Sequence, residues 1–192
     1  KLVVAALAGL ALLAPRVASG QDYPARVITV VVPFAAGSGS DTAARVIGQY
    51  LGPRLGQNIV VENRVGATGA IATAAVARAE PNGYTLLLGT NSTHGSNSAL
   101  YKRLAYDPIK DFTPVAHTGI FNYFVVVNPE LPIKTIEELV AYAKANPGKL
   151  SYAGGSSTSI VMAESFAKAT GIQLLKVPYR SNPPALTDVI AG

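Results

Sequence analysis

The chain has 192 residues, enough for one large domain or two small ones around a sizeable core. Charged residues make up 14% and hydrophobic residues 49%, which excludes intrinsic disorder. Cysteine is absent, which excludes disulfides, thiolate metal sites, a Cys nucleophile and a lipid-bearing Cys, and the formal net charge is +5.

Behind Lys1, residues 2–15 are all Leu, Val or Ala except Gly9 and Pro15. The stretch is shorter than the roughly 20 apolar residues that span a membrane. It runs to Ala18-Ser19-Gly20, with small residues at −3 and −1 of a cleavage before Gln21. This pattern predicts a secretory signal peptide over 1–20 and no stable membrane insertion once it is removed. Lys1 and Arg16 leave with it, so the remainder is only weakly basic. No basic run with interleaved aromatics follows, and no nucleic-acid partner is expected. An exported chain without cysteine or lipid anchor is expected in the periplasm.

From residue 27 onward strand and helix patterns alternate. Residues 27–34 (VITVVVPF) form an almost continuous apolar run, as in a strand buried on both faces. A helix over 41–55 places Val46, Ile47, Tyr50, Leu51 and Leu55 on one face. Next come a strand over 59–62, a small-residue helix over 69–79, a Pro81-Asn82-Gly83 turn and a strand over 84–88. Residues 91–114 read as a short helix and loops, and 123–127 as a strand. A capping box at 135–138 opens a helix through Ala145. Residues 150–153 are a strand, 159–170 a helix, 174–178 a strand, and a final helix starts at 184. Alternation of this kind predicts α/β architecture with mainly parallel sheets. The polar, Pro-marked region 105–122 is the expected crossing between two lobes.

Enzyme templates are not met. There is no phosphate-cradling G-x-x-x-x-G-K-[ST] and no G-x-S-x-G elbow. Gly37-Ser38-Gly39 resembles a dinucleotide fingerprint, but Thr42 stands where its third Gly belongs. His94 and His117 lack companion spacing for zinc. No catalytic residue, metal or cofactor is expected.

A local pattern does recur at three strand ends. VITVVVPF runs into AAGSGSDT (35–42), YTLLL into GTNSTH (89–94) and LSYA into GGSSTS (154–159). Each is a strand end followed by a Gly/Ser/Thr loop, and two feed directly into helices. Glycine lets a ligand approach the backbone, and a helix start offers unpaired N–H groups beside the positive end of the macrodipole. Ligands of open α/β sheets collect at the carboxyl ends of strands. The pattern therefore predicts an anion site made of main chain and hydroxyls. Asp41 would repel an anion; it reads as a helix cap or as a partner for a ligand's amine or hydroxyl. Four or five donors on one carboxylate sum to about 8–12 kcal/mol gross. After ordering and desolvation costs, micromolar affinity, about −8 kcal/mol, is attainable.

The chain also carries YPARVIT (23–29), VPFAAG (32–37) leading to Asp41, VENR (61–64) with Gly66-Ala67, and PNGYTLL (81–87). Further on stand Leu100-Tyr101, YDPIKDF (106–112), ANPGKL (145–150), VPYR (177–180) and PALTD (184–188). With these motifs the chain resembles the substrate-binding proteins of tripartite tricarboxylate transporters, the Bug family, across essentially all of 21–192. The resemblance implies a two-lobed, flytrap-type periplasmic binding protein: lobe 1 over 21–115 and lobe 2 over 116–192. It implies a monomer that captures a small organic acid, without catalysis, and delivers it to a membrane transporter of one large and one small subunit. Carried over, the ligand loops are Pro33 to Thr42 (Phe34, Ala36, Gly37, Ser38, Gly39, Ser40, Asp41, Thr42) and the facing stretch with Gly155, Ser156, Ser157, Thr158 and Ser159. Asn91, His94 and Tyr179 join them. Where the family often has Lys-Gly after Val-Pro-Tyr, Arg180-Ser181-Asn182 stands here. Family members run past Gly192, so an N-terminal fragment with an incomplete second lobe is expected. The alternatives are an exported enzyme using a loop Ser and His94, or a sensory receptor using the same cleft.

Overall fold

The computed structural model describes residues 22–192, so the signal peptide expected over 1–20 lies outside the described residues. The apolar run after residue 27 becomes β1 (Ile28–Val32), the middle strand of a parallel sheet between β2 (Ile59–Asn63) and β3 (Thr85–Leu87). Val30 lies opposite Val61 on one side and Leu86 on the other. Ile28, Val31 and Val32 are at most 2% exposed, as a strand covered on both faces requires. The strands are joined by α1 (Gly39–Leu55) and α2 (Ala70–Ala77). Val32, Ala44 of α1 and Leu88 pack together as the core beneath the sheet. Parallel strands with helical crossovers end at the same sheet edge, which brings the loops after β1 and β3 together.

Beyond β3 a π-type turn (Ser92–Ser96) runs into α3 (Asn97–Leu100). The second half consists of α4 (Ile136–Ala145), β4 (Ser151–Gly154), α5 (Ser157–Thr170), β5 (Leu175–Pro178) and α6 (Asn182–Ala191). β4 and β5 pair in parallel, with Ala153 opposite Val177. The capping box at Thr135 and Glu138 forms, and Leu139 and Ala143 of α4 are buried. Three helices begin two residues earlier than expected, α6 at Asn182 rather than 184 among them, and in the other two polar side chains rather than apolar stripes set the start. α1 opens at Gly39 behind the N-cap Ser38, and α5 opens at Ser157 behind Ser156, whose Oγ accepts from the Ser159 N–H. Among the described residues no helix is long and apolar enough to cross a membrane.

One expectation is corrected. Residues 123–127 form no strand, and 112–128 has no regular structure. The apolar composition is that of a strand, but a strand exists only where a neighbour takes up its N–H and C=O groups. No described strand lies beside it, and Ile120 and Phe124 are more than 80% exposed.

Candidate functional site

The loop after β1 is fixed by its own side chains. Ser38 caps α1, its Oγ accepting from the Asp41 N–H at 3.3 Å. The Asp41 side chain, about 5% exposed, accepts from the Gly37 N–H (2.9 Å), the Asn63 Nδ2 (2.9 Å) and the Arg45 Nε (3.0 Å). The same Asn63 amide donates to the Phe34 carbonyl at 2.9 Å. Asp41 and Asn63 thus hold both ends of the 34–37 turn, in which Gly37 takes a left-handed φ of 79°. Bonds from Arg45, then Gly37 and Asn63, hold the Asp41 carboxyl down at about 2, although burial acts the other way. Asp41 is therefore not the cap of α1, which is Ser38. Its oxygens are taken up inside the loop.

The facing loop packs against the turn after β3. Ser92 Oγ lies 3.0 Å from Thr158 Oγ1 and accepts from the Thr158 N–H at 3.3 Å. Ser157 Oγ donates to Asn97 Oδ1 at 2.6 Å. The Asn97 amide in turn donates to the Thr68 carbonyl and to the Tyr106 hydroxyl, and that hydroxyl donates to the Thr93 carbonyl. Ser92, Thr93, Asn97, Ser157 and Thr158 are all buried, and no described buried side-chain polar atom lacks a partner. Such a network holds the two halves together because breaking one bond strands a desolvated group. Replacing Ser157 with Ala is expected to cost about 1–2 kcal/mol in urea unfolding. Asn97 keeps the Thr68 hydroxyl as its other donor, which limits the loss.

The first loop is hydrogen-bonded to the second half through Ser181. Ser181 Oγ accepts from the Ala35 N–H at 3.1 Å, and Gly155 backs directly onto residues 181–182. Ala36, Gly37, Gly39 and Thr42 stay exposed. Beside them lies a hollow of about 470 Å³, walled by Gly37, Gly39, Thr42, Val46, Thr118 and Phe121. Residues 154–159 do not line it. A larger hollow of about 660 Å³ lies at the far end of α1, around Gly52 and Gln57, away from the strand tips. Among the described hydrogen bonds, the N–H groups of Ala36, Gly39, Ser40, Gly155 and Ser157 have no acceptor.

Asn91, His94 and Tyr179 complete the set of expected contacts. Asn91 is exposed and its Oδ1 accepts from Ser96. His94 is partly buried, with Nδ1 2.9 Å from Thr93 Oγ1 and its ring edge-on to Phe112 at 4.9 Å. Burial pushes its imidazole below its ordinary pKa. Tyr179 donates its phenol to Asp188 of α6 at 2.5 Å. Ser92, Asn97 and Ser181 were missed by motif reading. Ser92 lies inside one of the recurring loops, and Ser181 stands at the departure from the family's Lys-Gly, so both carried a signal. Asn97 carried none.

Residues 43–192 match the profile described as tripartite tricarboxylate transporter family receptor. The chain is 36% identical over 177 residues to protein BugT of Bordetella pertussis, covering 91% of this chain and 54% of that protein. It is similar to a solved R. palustris protein with adipate, at 34% identity and a TM-score of 0.81, covering 88% of this chain and 57% of the other. It is likewise similar to MatC from Rhodopseudomonas palustris with bound malate, at 34% identity and a TM-score of 0.78, covering 88% and 58%. The chain spans about half the length of the curated relatives it matches.

Proposed function

Because this chain belongs to the tripartite tricarboxylate transporter receptor family, we propose that it is a periplasmic solute-binding protein that captures a small di- or tricarboxylate for a membrane transporter of that type. Residues 21–115 and 116–192 are its two lobes, joined through 105–122. The observation that carries the reading is the set of main-chain N–H groups without acceptors among the described residues, Ala36, Gly39 and Ser40 on one loop and Gly155 and Ser157 on the facing one. Ser181 links these two loops. A carboxylate accepts such bonds at roughly twice the strength of a neutral oxygen. Gly37 and Gly39 leave the approach open, since a Cβ at Gly37 would meet nothing within 4 Å. The relatives solved with adipate and malate support a dicarboxylate. No observation favours the enzyme alternative, because the His94 ring is engaged by Thr93 and packed on Phe112.

A thermal-shift series on the full-length protein tests this reading. Adipate, malate or citrate at 100 times its dissociation constant is expected to add about 2.7 kcal/mol of stability, with glucose inert. A rise in melting temperature with neutral sugars and none with any organic acid rules out carboxylate capture.

A further inference from the structure

Ser181 occupies the N-cap position of α6 with extended backbone, φ −164° and ψ 166°, yet makes no capping bond. The reason is chemical. An N-cap hydroxyl accepts from the N–H of the second or third helical residue. Behind Asn182 those residues are Pro183 and Pro184, which have no N–H. The hydroxyl is thus relieved of the usual work of a serine at a helix start, although the residue is only 1% exposed.

Its one partner among the described residues is the Ala35 N–H at 3.1 Å, the single hydrogen bond between residues 33–42 and the second half. In that bond Ser181 accepts, so its own O–H is unspent. Buried hydroxyls ordinarily have partners, and a serine can donate one bond while accepting another. On the other flank a Cβ on Gly155 would stand 2.5 Å from the Ser181 carbonyl carbon. The hydroxyl is therefore enclosed between the two loops whose amides lack acceptors.

We propose that Ser181 is a specificity-determining ligand contact: pinned by the Ala35 N–H, its hydroxyl donates to an oxygen of a carboxylate seated between the 34–41 and 154–157 loops. This rests on the carboxylate reading above. The hydroxyl favours ligands that present an anionic oxygen at this junction, because a group that cannot accept would bury the O–H unpaired. It also couples the two halves, since the ligand and Ala35 share one side chain.

Calorimetric titration of the full-length protein with adipate and with malate tests the proposal, comparing unmodified protein with Ser181→Ala and Ser181→Gly. Both variants are expected to bind the preferred acid roughly tenfold or more weakly, as loss of a hydrogen bond to a charged group predicts. Unchanged or tighter binding by either folded variant overturns the proposal. If neither variant folds, the Ala35 amide resonance of the unmodified protein decides. It is expected to move on saturation with the acid, and an unmoved resonance overturns the assignment. An unmodified protein that binds no organic acid overturns the functional reading itself, and this contact with it.

Discussion

Asp41→Ala is expected to lower unfolding stability by about 2–4 kcal/mol and to weaken carboxylate binding. Removing the carboxylate leaves the Gly37 N–H without its acceptor and takes from the Asn63 amide one of its two. Those two bonds account for most of the loss. The Arg45 guanidinium, 54% exposed, contributes little because solvent screens it. The 34–37 turn then loses what aligns its amides, so affinity falls with stability. Urea unfolding at neutral pH and a carboxylate titration measure both effects, and a loss under 1 kcal/mol would show that the turn holds itself.

The same residue sets a pH dependence with a defined sign. The folded carboxyl titrates at about 2, below the ordinary value of about 3.9. Its stabilisation is complete above about pH 4 and is lost as the pH falls through about 2. Discounted for the solvent-facing guanidinium, it amounts to about 1–2 kcal/mol. Unfolding measured between pH 5 and 2 is expected to show that loss in the unmodified protein, and a flatter acid limb in Asp41→Ala.

Gly155→Ala is the second large effect. The new Cβ would stand 2.5 Å from the Ser181 carbonyl carbon and 2.6 Å from the Asn182 nitrogen. Both are backbone atoms, so no rotamer change relieves the overlap and the start of α6 must shift. Such overpacking costs about 1–3 kcal/mol, or roughly 3–10 °C in melting temperature for a chain of this size. Because α6 carries Ser181, the shift also pulls the hydroxyl off the Ala35 N–H and weakens binding. By contrast, Gly37→Ala meets no atom within 4 Å and is strained only by its φ of 79°, a cost of roughly 1–2 kcal/mol. If Gly155→Ala melts no lower than Gly37→Ala, the tight seat of α6 on the loop is wrong.

Much of the architecture was legible in the residues. The unbroken apolar run at 27–34 marked the central strand, because only a strand covered on both faces tolerates it. The Thr135–Glu138 box marked the start of α4 to the residue. The Gly/Ser/Thr loops at 35–42, 89–94 and 154–159 announced strand ends. What failed had a common cause. Residues 123–127 have the composition of a strand, but pairing is a property of the neighbour. Asp41 has the chemistry of a helix cap, but Ser38 supplies the capping oxygen and Asn63, Arg45 and Gly37 hold the Asp41 carboxylate. Ser181 stood in the sequence only as a departure from the family's Lys-Gly; its place at the N-cap of α6, without a capping bond, came from the fold.

Local sequence determined most of the strands and helices, the side-chain caps of α1, α4 and α5 and that small hydroxyl residues crowd the strand tips, because those outcomes depend on neighbours within a few positions along the chain. Tertiary structure alone decided which hydroxyls and amides are spent. Ser92 closes on Thr158 across 66 positions and Ser181 on Ala35 across 146, while the Ala36, Gly39, Ser40, Gly155 and Ser157 amides have no acceptor among the described hydrogen bonds. A donor's availability depends on whether an acceptor lies within about 3 Å in space, and one-dimensional order does not encode that distance.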